Sequence, residues 1–166
     1  MSVNVQYPIL DGIAPSWGDL SCKMLVSGAA LLEMIDVKSI NTGTSLEIGE
    51  QRGASGGRVV MRTTGQDKNE ASMTLYASGH QKLIRTLASV APVRGNQRIL
   101  SLVHFGIQYL FTPPNTDEIY EIRIKGVRYI GRAANASEGT DANTVDVSLS
   151  VAQIVDMIDG KECVLL

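Results

Sequence analysis

The sequence has 166 residues, 44% of them apolar and 19% charged, with a formal charge of −2 from 15 basic and 17 acidic side chains. That length suits one domain, residues 1–166, with a proper core, and the apolar share excludes disorder across the whole chain. The lack of a basic excess argues against a protein that grips phosphate backbones by counterion release, and 5% aromatics leaves few platforms for stacking bases or sugars.

Residues 1–16 hold Pro8, Gly12 and Pro15 among Val3, Val5, Tyr7, Ile9 and Leu10. Proline and glycine at that density argue for an extended arm, and its apolar content for an arm that packs on its own domain or on a neighbour. Met1–Leu10 lacks the basic start and apolar stretch of a signal peptide, and no apolar run is long enough to span a bilayer. The expected setting is therefore a reducing cytoplasm. Cys22 and Cys163 are expected there as two buried free thiols, a bond between them being the alternative.

Leu20–Val26 and Met34–Ile40 are short apolar runs that predict strands. Thr42–Gly57 carries five glycines around Leu46 and Ile48 and is expected to be a long mobile loop, since glycine costs backbone entropy when ordered. Arg58–Thr64 and Glu70–Ala77 return to the period of a strand, with Met73, Leu75 and Ala77 on one face. A helix over 79–91 is predicted by Leu83, Ile84, Leu87 and Ala91, with Ser78 and Gln81 at capping-box spacing and Pro92 as its stop.

Ile99–Phe111 alternates as one long strand, apolar also on its second face through Leu100, Leu102 and Leu110, as at a subunit contact or between layers. Tyr120–Ile130 alternates until Gly126, where the phase slips by one residue, the mark of a β-bulge. Residues 133–143 form a polar loop. Val145, Val147, Leu149 and Val151 then give the cleanest strand in the chain, and Asp159-Gly160 marks a closing hairpin. The sum is mainly β: an antiparallel sandwich or barrel of roughly eight strands with one flanking α-helix.

The residues that carry chemistry are sparse. His80 is expected at the surface beside the helix start, and His104 on a sheet face; neither has a nucleophile motif beside it. The histidines and cysteines show no zinc spacing. Asp141, Asn143 and Val145 begin like a calcium loop, but Asp146 and Ala152 stand where its glycine and bidentate glutamate belong. Gly53–Gly57 is followed by the strand-like Arg58–Met61 rather than a helix, so it is no phosphate cradle, and Arg52, Arg58 and Arg62 read as solvated charges or interface partners. No enzyme activity, metal or cofactor is expected.

An arm, a Gly-rich segment, EASMTLYASGHQKLIRTLA (Glu70–Ala88) running from strand into helix, a long strand, a polar loop and VDVSLSV (Val145–Val151) follow in an order that resembles the tail-tube proteins of bacteriophages. That fold is shared with the inner-tube proteins of type VI secretion systems. The resemblance implies a homo-oligomeric virion protein, made in the host cytoplasm, whose hexameric rings stack into a tube with inner sheets lining a lumen. Its implied partners are a tape-measure protein, a sheath if the tail is contractile (the preferred reading), and baseplate and tail-terminator proteins. DNA passes through without specific binding, and no membrane is involved. Thr42–Gly57 matches the segment that bridges rings in that family, which makes Leu46, Glu47, Ile48, Glu50 and Arg52 the expected inter-ring contacts. Val3, Val5, Tyr7 and Ile9 are the expected subunit-interface arm. The alternatives are a baseplate or adaptor ring of the same fold, and a small monomeric β-barrel binding module.

Overall fold

The computed structural model describes residues 20–26, 32–33, 36–54, 56–111 and 119–165. The arm over 1–16, with Val3, Val5, Tyr7 and Ile9, lies outside the described residues. Eleven strands and one α-helix follow among them: β1 (Leu20–Val26), β2 (Leu32–Glu33), β3 (Val37–Arg52), β4 (Val59–Tyr76), α1 (Ala77–Val90), β5 (Val93–Arg94), β6 (Gln97–Arg98), β7 (Phe105–Phe111), β8 (Tyr120–Asn135), β9 (Thr144–Ser150), β10 (Gln153–Ile158) and β11 (Lys161–Cys163). The architecture is mainly antiparallel β with a flanking helix, as expected.

Two sheets share β8. Its first half pairs with β7 and with β10, giving a first sheet in the order β2-β1-β7-β8-β10-β11. Its second half, from Arg128, pairs with β9, giving a second sheet in the order β8-β9-β4-β3. The changeover falls at Gly126, where the backbone turns to φ 63° and the β7–β8 register slips between Phe105 and Ile107. A Cβ there would stand 2.6 Å from the Cβ of Ala152, so the bulge that lets one strand serve two sheets requires glycine.

The inward faces make one core. Met24 and Ile107 from the first sheet meet Met73, Leu75 and Val147 from the second, all essentially without solvent exposure. β9 shows why the sequence period was informative: Val145, Val147 and Leu149 are buried while Asp146, Ser148 and Ser150 are exposed. Helix α1 adds Leu83 and Leu87 to the same core. A side-chain hydrogen bond of 3.3 Å between Thr42 Oγ1 and Tyr109 Oη ties β3 to β7 across the layers.

Three expectations are corrected here. The segment Thr42–Gly57 is not a loop: β3 runs through it to Arg52, paired with β4, and only residues 53–58 turn. The helix spans Ala77–Val90 rather than 79–91, and the Ser78–Gln81 capping box does not form, because β4 enters the helix directly through an extended Tyr76. Backbone takes the place of the cap: the amide of Tyr76 donates to the carbonyl of Asp36 at 3.0 Å and that of Ala77 to Asn143 at 3.1 Å. Lastly, Ile99–Phe111 is not one strand. Leu100–Leu102 is a 3₁₀ turn and β7 starts only at Phe105, leaving Leu102 exposed.

Candidate assembly surfaces

The most exposed feature is a ribbon. β4 pairs with β9 only over Glu70–Tyr76, yet it stays paired with β3 down to Val59 opposite Arg52. Thr44–Arg52 and Val59–Asn69 therefore project past the sandwich as two strands alone, about 30 Å long at roughly 3.3 Å per residue. The turn closes with the amide of Gly53 donating to the carbonyl of Arg58 at 3.0 Å, and Gly56 and Gly57 take positive φ. Other ribbon glycines mark close approach rather than mobility. A Cβ on Gly49 would stand 2.4 Å from Thr63 Oγ1, and one on Gly65 would stand 2.9 Å from the carbonyl oxygen of Glu47.

Of the expected inter-ring residues, Leu46 is half-buried while Glu47, Ile48, Glu50 and Arg52 are exposed. Ile48 and Met61 are each 56% exposed, and Val59 is also exposed. The sequence reading missed Val59 and Met61 as ribbon residues, although both stand in the apolar run after the turn. The Glu50–Arg62 pair, 3.4 Å apart and open to water, spans the strands and holds little stability. An isolated two-stranded ribbon is marginal in water, and both of its edges offer unpaired amides and carbonyls.

The residues singled out for chemistry are scattered. His80 is buried, not superficial: its Nε2 lies 3.1 Å from the hydroxyl of Tyr129, and burial, then Arg132, holds its pKa below the ordinary 6.5. His104 is exposed, just before β7 and not within a strand. Cys22 is buried in β1, its thiol pushed up to about 11 by burial, whereas Cys163 is exposed. Both are free thiols, so the expectation of burial holds for Cys22 and fails for Cys163. Cys163 closes β11, a three-residue strand at the sheet edge whose residues are all exposed. No three His, Cys, Asp or Glu side chains among the described residues cluster as a metal would need. No helix among them is long and apolar enough to cross a membrane. A small, partly open pocket between β2, β3, β4 and α1, lined by Leu32, Glu33, Val37, Leu75 and Lys82, has about 10 Å³, room for a water.

This is the architecture of tail-tube and tube-terminator proteins. The chain is similar in structure to the sheath/tube terminator of an extracellular contractile injection system, PVC, at a TM-score of 0.63 and 14% identity, covering 93% of this chain and 99% of that one. It is similar to the tube-terminating cap of the anti-feeding prophage at 0.61 and 10% identity, over 95% of this chain and 99% of that one. The SPP1 tail tube matches at 0.60 and 12% identity, over 89% and 82%. No model of a known protein family matches the sequence, and no curated protein matches it.

Proposed function

We propose that this chain is a structural, non-enzymatic virion protein of a bacteriophage tail, made in the host cytoplasm, whose hexameric rings stack into the tail tube through which DNA is ejected. The observation that carries the reading is the β3–β4 ribbon on a sandwich of tail-tube fold. It exposes Ile48, Val59 and Met61 and two unpaired edges, a combination that a lone monomer gains nothing by displaying. Head-to-tail contact between identical subunits covers such edges and closes a ring when the rotation closes. In this reading the ribbon, with Leu46, Glu47, Ile48, Glu50 and Arg52, reaches the next ring, and Val3, Val5, Tyr7 and Ile9 of the N-terminal arm hold the neighbouring subunit. The tape-measure protein, the baseplate and the terminator meet the tube at its lumen and its two ends, and a sheath surrounds it in a contractile tail.

A second reading has its own support. The two terminator structures are matched over 99% of their length, against 82% for the SPP1 tail tube. A terminator, baseplate or adaptor ring of this fold would close once and not polymerise. Negative-stain microscopy of the purified chain decides between the two: tubes of repeating rings support the first, single rings the second, and monomers refute both.

A further inference from the structure

The chain contains two Asp-Gly steps: Asp11-Gly12, which lies outside the described residues, and Asp159-Gly160, which makes the two-residue turn between β10 and β11. Asp159 is exposed and, among the described residues, is the one non-glycine residue at positive φ, 51°. Gly160 follows at φ 73° in open space, where an added Cβ would meet nothing within 4 Å. The turn lies between the paired Ile158 and Lys161, and the amide of Gly160 donates to no backbone carbonyl of another described residue. Asp159 joins no ion pair with another described residue. Asn69 and Asn135 are the opposite case. Each stands inside a paired strand, and each ties its side-chain amide down at 3.3 Å, Asn69 to the carbonyl of Ala152 and Asn135 to Asp146.

We propose that Asp159 is a site of self-modification, isomerising to a β-linked aspartate through a succinimide, and that the change strips β11 from the first sheet. The reaction needs no partner and is independent of the tube reading. The backbone nitrogen of Gly160 attacks Cγ of Asp159: the C–N bond forms, the C–O bond to the carboxyl hydroxyl breaks, and the amide proton leaves with that hydroxyl as water. Solvent water then opens the five-membered ring. Attack at Cγ restores aspartate, while attack at the former backbone carbonyl breaks its bond to nitrogen. Gly160 is then linked through the side chain, with a free α-carboxylate left behind and no change in mass. Glycine suits this role because no Cβ crowds the attacking nitrogen. Ring closure also needs the backbone of Asp159 to swing out of its left-handed turn, so β11 must first release. That release is easy. β11 has three residues, all exposed, and pairs with β10 alone, and its Glu162–Lys125 ion pair is open to water. The β-linkage then adds a carbon to the backbone of a two-residue loop whose length sets the register. The pairs Ile158 with Lys161, Met157 with Glu162 and Asp156 with Cys163 are lost, whereas β10 stays paired to β8 with Val155 fully buried. β10 becomes the sheet edge, and its amides and carbonyls are open to another chain.

The test incubates the full native chain at neutral pH in heavy-oxygen water, then maps its peptides by mass spectrometry with electron-transfer fragmentation, which reads Asp11 and Asp159 separately. Each opening of the succinimide leaves a heavy oxygen on the residue, and backbone cleavage specific to the β-linkage identifies the isomer. Both marks should appear at Asp159, on the order of ten- to a hundredfold more slowly than in the free peptide Val155–Leu165, because the reactive state is the locally opened one. The rate should hold steady in urea too dilute to unfold the chain. Asp159→Asn, which expels ammonia in place of water and tolerates positive φ, should react faster at the same position. The β-linked form, purified from the incubated chain, should lose hydrogen-exchange protection over Lys161–Cys163 and keep it at Val145, Val147 and Leu149. An unmodified Asp159 under conditions where the free peptide reacts overturns the site. So does a rate that climbs with urea in step with global unfolding, or an Asp159→Asn chain that reacts no faster than the native one. Protection retained over β11 in the β-linked form overturns the release of the strand.

Discussion

Replacing Ile48 and Met61 by serine separates assembly from folding, because both side chains sit on the ribbon and are 56% exposed. Full burial of such a side chain gives roughly 1.5–3 kcal/mol, so the part still exposed gives about 1–1.5 kcal/mol when a neighbour covers it. With Val59, which is 38% exposed, one ribbon can gain about 3 kcal/mol on docking. That is less than the freedom lost when two bodies associate, on the order of 4 kcal/mol or more. In the proposed tube a single ribbon would therefore not hold two rings, whereas several ribbons acting around one ring would. The double substitution removes most of the gain at every contact at once. Substitutions at exposed positions away from special features change stability by about 0.5 kcal/mol or less. Tubes should accordingly disappear from micrographs while circular dichroism and the thermal midpoint stay nearly unchanged. Leu46, being half-buried, is a poorer choice, since Leu46→Ser costs fold stability as well. Normal tubes from the double variant, at the concentration where the native chain assembles, would refute the ribbon as the stacking element.

Gly126→Ala should destabilise the fold by about 1–3 kcal/mol, because alanine meets both a positive φ and the Cβ of Ala152; an unchanged denaturant midpoint would refute the bulge as the join between sheets. His80 has a folded pKa below its unfolded 6.5, so the unfolded chain binds the proton more readily, and stability is complete above that pH and falls as pH drops through it. Thermal scans should show that acid loss in the native chain, and His80→Gln should flatten it; identical profiles would sink the assignment. The native chain should give one fast thiol equivalent with a disulfide reagent, from exposed Cys163, and two after unfolding; two fast equivalents in the folded protein would contradict the burial of Cys22.

What the sequence disclosed followed from how many side chains repeated one message. In β9 every second residue is buried, so Val145, Val147 and Leu149 announced both the strand and its inward face. Gly126 was legible because a phase slip of one residue in an otherwise regular strand has few causes, and a bulge with glycine at positive φ, as found there, is one of them. Asp159 and Gly160, both at positive φ, turn the β10–β11 hairpin as their pairing implied. His80 was misplaced because its neighbours in sequence are helix-start residues, whereas its partner Tyr129 lies 49 positions away on β8. Nothing local encodes such a contact.

The ribbon was misread for a related reason, and the error bears on how the molecule works. Glycine lowers the intrinsic preference for a strand, so the density of glycine in Thr42–Gly57 signalled a loop. Strand pairing overrode that preference. Gly49 faces the Thr63 hydroxyl so closely that a Cβ would displace it, and Gly65, outside the segment that suggested mobility, sits where the Glu47 backbone leaves no room for a Cβ, so glycine here serves close pairing of the two strands. Pairing alone is a weak hold, however, when neither face meets a core: Ile48 and Met61 remain in water, and the Glu50–Arg62 ion pair is solvent-screened. Among the described residues, no apolar cover lies over either face of the ribbon. A partner that supplies that cover gains a binding surface whose backbone is already ordered, which lowers the entropy cost of docking relative to a disordered loop. The ribbon is in this sense pre-organised for contact, and weak in each single contact because its apolar content is small.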